Sequence, residues 1–280
     1  MLPLPLSLVC AHSPDSDDAY MFYALATHKV RSSLVSFSHV LADIETLNTQ
    51  ARQGVYPLTA ISYHAYPYVA AHYALMASGS SVGDGYGPIL AALRPMAPGE
   101  IKGKRVAVPG RLTTAYLVLK LFEPDLETLE TPFDKVLEAV AEHRADLGLV
   151  IHEGQLTYAR GGLSKVVDLG AWWKSLYGLP LPLGANALSR ALPPEIQAEC
   201  CRLMRASIQY ALDHHEEALQ YALEFARDMD PHLAEQFIGM YVNHYTLDGG
   251  ELVPRAAQKL LDLGYEAGLL PERVTLDFIR

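Results

Sequence analysis

The stretch DLGLVIHEGQ, positions 146–155, sets an imidazole and a carboxylate side by side after an apolar run. The run 147–151 has the length and composition of a buried strand, so His152 stands at a strand end. An imidazole at the tip of an apolar strand, roofed by a second element, loses part of its hydration. That loss favours the neutral ring, which is the form able to take a proton. His152 is therefore the candidate general base, and Glu153 either orients it or faces solvent. Other strand-end residues are small and mostly hydroxylic: Ser13 follows LSLVCAH, Ser62 closes PLTAIS, and Gly110, Thr113 and Thr114 follow KRVAVP. Hydroxyls and the free N–H groups of a helix start hold an anion with little help from Lys or Arg. Arg111 is the nearest cation in sequence. The chemistry these residues suit is proton removal from a small carboxylated molecule, with Ser13, Ser62, Gly110, Thr113 and Thr114 as binding groups.

Each of these residues also has a purely structural use. Ser62 and Thr113 stand where helix N-caps stand. SPDSDD, positions 13–18, matches a capped first turn with acidic residues on the helix dipole. Its three aspartates lack the glycine and distal glutamate of a calcium loop, so no metal site is expected. VPGRLTT lacks the Gly-Lys-Ser/Thr ending of a phosphate loop, and no Gly-x-Ser-x-Gly elbow supports a serine hydrolase. Among the other histidines, His12 also closes a strand and could line the same cleft. His64 and His72 lie in an aromatic-rich segment and are expected to pack. His214 and His215 belong to a charged helix.

The elements that must position these groups follow from composition and pattern. The chain has 280 residues, half of them hydrophobic and 19% charged, enough to bury a large core. A net charge of −10 without a Lys/Arg cluster excludes nucleic acid as a partner and leaves a small-molecule anionic substrate open. The cysteines, Cys10, Cys200 and Cys201, form neither a disulfide framework nor a zinc spacing, which favours a reducing compartment. The N-terminus lacks a basic segment before its short, proline-broken apolar run, and no run approaches a membrane span. A cytoplasmic protein with no membrane partner is expected. The oligomeric state stays open, a homodimer among the options.

Strand and helix alternate in two blocks, joined by the Gly-rich GSSVGDGYGPIL and the Pro-rich LPLPLGANALS, and the last hundred residues are helical. Such alternation predicts α/β architecture with parallel sheets covered on both faces. Two blocks with two crossings predict two lobes: 1–90 plus 186–280, with the helical tail packed on it, and 91–185. This is the layout of the two-lobe type 2 periplasmic-binding-protein fold. Ligands of such sheets sit beyond the carboxyl ends of the strands, where the residues above lie.

The segments SPDSDDAYMFYAL, LTAISYHAY, GYGPIL, VAVPGRLTTAYLVLKL, VIHEGQLTY and LPLPLGANALSR, in this order along the chain, resemble the 1,4-dihydroxy-6-naphthoate synthases of the futalosine route to menaquinone. Ser16 and an ordinary helical tail are minor departures. The resemblance implies the two-lobe fold and a lyase that needs no cofactor. It implies action on cyclic dehypoxanthinylfutalosine, breaking the bond between the carbocycle and the former ribose fragment. His152 would be the base that starts an elimination ending in aromatisation. Thr114 and its neighbours would hold a substrate oxygen or carboxylate, and Ser62 would add a hydroxyl. Two alternatives compete: chorismate dehydratase, a sister enzyme on the same fold, and a non-catalytic binder of a small carboxylate. The HEGQ run sides with the naphthoate synthases. The unpaired cysteines and the lack of an export signal oppose the binder.

Overall fold

The computed structural model describes residues 5–226 and 229–280. Five strands come first: β1 (Leu6–His12), β2 (Val35–Leu41), β3 (Leu58–Ser62), β4 (Tyr73–Met76) and β5 (Ser81–Gly83). Then follow β6 (Ile89–Ala92), β7 (Arg105–Val108), β8 (Glu127–Glu130), β9 (Leu147–Val150) and β10 (Ser164–Asp168). The chain returns through β11 (Leu181–Ser189) and ends on β12 (Phe278–Ile279). One sheet has the order β12-β4-β11-β3-β1-β2 with β5 beside β11, and the other β10-β6-β9-β7-β8.

Hydropathy explains the placement. β3 and β9 are buried along their whole length, as strands covered on both faces must be. β2 lies at the sheet edge and exposes Ser36 and Ser38 in alternation with less exposed neighbours. β1 pairs in parallel with β2 and β3, and β7 with β8 and β9. The sheets are nonetheless mixed, and here the expectation of all-parallel sheets fails. β11 runs antiparallel to β3, β4 and β5, and β6 antiparallel to β9 and β10. Both are strands that arrive from the other lobe, so they enter their sheet from the opposite end. Membership also moves the lobe limits a few residues toward the N-terminus of the expected 90/91 and 185/186. β6 begins at Ile89, and β11 belongs to the first sheet from Leu181 onward.

The first crossing passes close to the helix Leu169–Tyr177. A Cβ on Gly170 would lie 2.0 Å from the Tyr86 carbonyl oxygen, and one on Gly87 would lie 3.0 Å from the Gly170 Cα. The glycines of the first crossing and of the helix Leu169–Tyr177 thus allow backbone to lie on backbone.

The helical tail divides its contacts. Pro194–Asp213 packs on the first-lobe helix Ser16–Ala26, where the Tyr20 hydroxyl donates to the Ala211 carbonyl at 2.8 Å and Ser207 Oγ to the Met21 carbonyl at 2.9 Å. Leu252–Glu266 instead touches both lobes, which corrects the expectation that the whole tail belongs to the first. Its Val253 and Ala257 are buried with Tyr63 and Leu75, while Leu260 and Leu261 are buried with Leu117 and Trp173 of the second lobe. Periodicity reveals that this helix has an apolar face but not which neighbours share it. Among the described residues, no helix is long and apolar enough to cross a membrane.

Gly170→Ala is expected to lower unfolding free energy by about 1–3 kcal/mol, because the crossing backbone must shift. Urea denaturation measures this; a loss within experimental error would show that the first crossing has room to spare over this helix.

Candidate functional site

Ser13, Ser62, Thr113 and Thr114 border one cavity between the lobes, of about 870 Å³ with its open mouth included. That lies within the roughly 300–1,000 Å³ of small-molecule sites. His152 and Gly110 do not line it, although Ile151 does. Among the described residues, no Lys, Arg or His forms part of the wall.

The threonine turn is held by its own hydroxyls. Thr113 caps the helix Thr114–Phe122: its Oγ1 accepts from the Tyr116 N–H at 3.2 Å and donates to the Gly110 carbonyl at 2.8 Å. Thr114 Oγ1 donates to the Leu183 carbonyl at 2.6 Å and accepts the His64 N–H at 3.2 Å. Neither hydroxyl proton is left for a ligand. What the turn offers is the N–H groups of Thr114 and Ala115, which have no intrahelical acceptor at the first two helical positions. Both residues line the cavity, so the positive end of the helix opens onto it.

Ser62 adds a hydroxyl. It is no N-cap: it makes no side-chain bond to the short 3₁₀ turn Tyr63–Ala65 that follows. Its Oγ accepts from Asn48 Nδ2 at 3.0 Å, and its N–H donates to Asn48 Oδ1 at 2.8 Å. The hydroxyl proton can therefore turn to the cavity. His64 stays neutral, because burial lowers its pKa to about 4. Its Nδ1–H donates to the Thr113 carbonyl at 3.1 Å. Arg111 turns away and pairs with Glu130 at 3.5 Å on the surface. An anion at this end would meet neutral donors and a helix dipole.

Ser13 differs. Its hydroxyl donates to Asp15 at 2.6 Å, and its N–H donates to Asp18 at 2.7 Å. Asp15, Asp17 and Asp18 all reach the cavity wall, so the start of Ser16–Ala26 is crowded by its own carboxyls. Burial, followed by the charges of Asp18, Asp15 and Glu153, holds the Asp17 carboxyl well above the usual range. Burial also raises Asp18, against the lowering effect of the Ser13 N–H. Gly110 acts through close approach: a Cβ there would fall 2.3 Å from Glu45 Oε2, which accepts the Leu112 N–H at 3.0 Å and so links the lobes.

His152 sits on the second lobe beside Phe133, with its side chain 14% exposed. Nε2–H donates to the Phe133 carbonyl at 2.8 Å, which fixes the tautomer and leaves Nδ1 as the basic nitrogen. Nδ1 accepts the Gly154 N–H at 3.1 Å and lies 3.6 Å from Glu153 Oε2. His12 does not line the cavity. It is buried, stacked on Phe22 at 4.1 Å and hydrogen-bonded to His39 at 3.0 Å.

Several cavity groups escape sequence reasoning. Tyr241, from the helix Pro231–Tyr241, lines the wall and donates across the lobes to Gln155 at 2.7 Å. Asn186 lines it from β11; its only signal is a lone amide inside an apolar strand.

Two α/β lobes closing on a cavity with an anion-ready helix start define a ligand-enclosing protein of the periplasmic-binding-protein fold. The alkanesulfonate-binding protein of Xanthomonas axonopodis pv. citri, solved with MOPS bound, superposes with a TM-score of 0.72 at 14% identity, covering 98% of this chain and 97% of that one. More specifically, the family described as menaquinone biosynthesis matches residues 8–266, and the chain belongs to that family. It is 42% identical to the 1,4-dihydroxy-6-naphthoate synthase of Thermus thermophilus, over 92% of this chain and 93% of the relative. Identity to the enzyme of that name from Streptomyces coelicolor is 36%, over 95% of each. A crystal structure of an Archaeoglobus fulgidus protein superposes with a TM-score of 0.90 at 47% identity, covering 94% of this chain and 98% of that one.

Ionising Asp17 and Asp18 is harder in the folded chain than in the unfolded one. Over the window above the ordinary carboxylate range the folded state therefore holds protons that the unfolded state has lost, and this pair makes stability fall as pH rises. Asp18→Asn is accordingly expected to raise the melting temperature more at pH 8 than at pH 5. Calorimetry at both values checks it; equal shifts would show that the pair ionises normally.

Proposed function

We propose that this protein is a cofactor-independent lyase that converts cyclic dehypoxanthinylfutalosine to 1,4-dihydroxy-6-naphthoate in the cytoplasm. The observation that carries this is the cavity end formed by Ser62 and the start of Thr114–Phe122, in a chain that aligns over 92% and 95% of its length with two naphthoate synthases. Neutral donors there suit a ring carboxylate. His152 is the base. In this conformation Nε2–H donates to the Phe133 carbonyl and Nδ1 accepts the Gly154 N–H, so a nitrogen is freed for the substrate proton when the ring turns. In this conformation the ring rests against Phe133 and the Gly154 N–H, outside the cavity wall. It reaches the substrate by a turn of the side chain, and closure of the second lobe excludes water. Aromatisation drives the reaction, so the protein needs to supply deprotonation and positioning only.

Incubating the purified protein with cyclic dehypoxanthinylfutalosine and following naphthoate by absorbance and mass tests the activity; the same assay with chorismate separates the sister reaction. His152→Ala is expected to lower kcat by about 10²- to 10⁴-fold with a smaller change in substrate affinity. Near-full activity in that variant would remove the proposed base. Ser62→Ala is expected to raise KM several-fold with kcat little changed. An unaltered KM would assign Ser62 to the Asn48 contact alone.

A further inference from the structure

The cavity wall holds a second polar group, a buried amide. Asn186, on β11, is only 1% exposed, and its residue forms part of the wall. Its amide can face only one way. Nδ2 donates to the Gly79 carbonyl at 3.0 Å and points at Met21 Sδ, 3.9 Å away. The reverse orientation would set two carbonyl oxygens against each other. Oδ1 is thereby left with no partner among the described residues. A buried acceptor without a donor is unfavourable, and a bound water, ion or ligand group can supply the missing donor. The surroundings are shaped for this amide. Gly79 has a φ of +89°, and a Cβ on it would lie 2.5 Å from Asn186 Nδ2.

Register fixes where this acceptor lies. β11 pairs antiparallel with β3, with Gly184 opposite Ser62 and Asn186 opposite Ala60. Directly opposed residues and residues two apart share a sheet face, so these four lie on one face, and all four belong to the cavity wall. Gly184 and Ala60 are small and leave the face open between Ser62 and Asn186. A two-residue rise separates the levels of Ser62 and Asn186 by about 7 Å.

We propose that Asn186 is a specificity-determining residue that accepts a hydrogen bond from a hydroxyl of the substrate, about 7 Å from the end that holds its carboxylate. The ligand class is a carboxylate on a rigid ring whose far side carries a hydroxylated substituent. This rests on the function proposed above and adds which kind of group the far end reads. A ligand without that hydroxyl leaves Oδ1 unpaired and is rejected.

The test compares kcat/KM for the intact substrate and for analogues in which each hydroxyl of the ribose-derived fragment is replaced by hydrogen in turn. Wild-type protein is expected to lose about 10- to 100-fold on one analogue. Asn186→Ala should lose a similar factor on the intact substrate and nothing further on that analogue. Wild-type kcat/KM in Asn186→Ala, or losses that multiply on every analogue, would overturn the assignment. If Asn186→Ala does not fold by circular dichroism, Asn186→Ser withdraws the acceptor along the same strand and is held to the same outcomes. Absence of product from the wild-type protein on intact substrate would overturn the lyase assignment instead. The same comparison, read as Kd by calorimetry, then still decides the role of Asn186.

Discussion

Thr114 Oγ1 lies at the junction on which the site depends. It takes a proton from the backbone of His64, in the first lobe, and gives its own to the Leu183 carbonyl on the returning strand. One buried hydroxyl, 2% exposed as a residue, thereby locks the start of a second-lobe helix to two pieces of the first lobe. Thr113 beside it accepts the Tyr116 N–H of the same helix. With both hydroxyls committed, the helix opens into the cavity with bare N–H groups and its full dipole. An arginine in their place would bring charge but would also need a counter-ion in the absence of ligand. Neutral donors avoid that need, which fits a wall free of Lys, Arg and His among the described residues.

The aspartates of the first helix make the other half of the electrostatic picture. Three carboxyls at one helix start repel one another, and burial raises two of them. Such an arrangement is unfavourable for folding and useful in a cavity that admits an anion, because a protonated carboxyl neither repels the ligand nor lacks a hydrogen to offer. The cavity therefore has polar groups of different kinds: fixed donors near Thr114 and Ser62, and, near Asn186, carboxyls that donate as well as accept.

Much of this frame was legible before any coordinates. Strand and helix alternation marked the two lobes, and strand ends marked Ser62, Thr113 and Thr114 as neighbours of the cleft. What each hydroxyl does was not legible. The partners of Thr114 lie 50 and 69 residues away in sequence, and the partner of Ser62 sits on a helix 14 residues before it. Local propensity points to a cap at Ser62, and tertiary contact with Asn48 overrides it. Asn186 and Tyr241 could not be read for the same reason: their roles come from register and from packing between distant segments. The parallel-sheet rule failed only at β6 and β11, because alternation says nothing of the direction in which a chain re-enters a sheet.

The helix Leu252–Glu266 carries one consequence further. It lays one end of its apolar stripe on each lobe, so neither half owns a complete hydrophobic surface. Cutting the chain at both crossings would free the second lobe from the two segments of the first and leave a raw flank on each lobe. The halves should melt as a single cooperative unit, and grafting either one onto a foreign scaffold would require carrying this helix along.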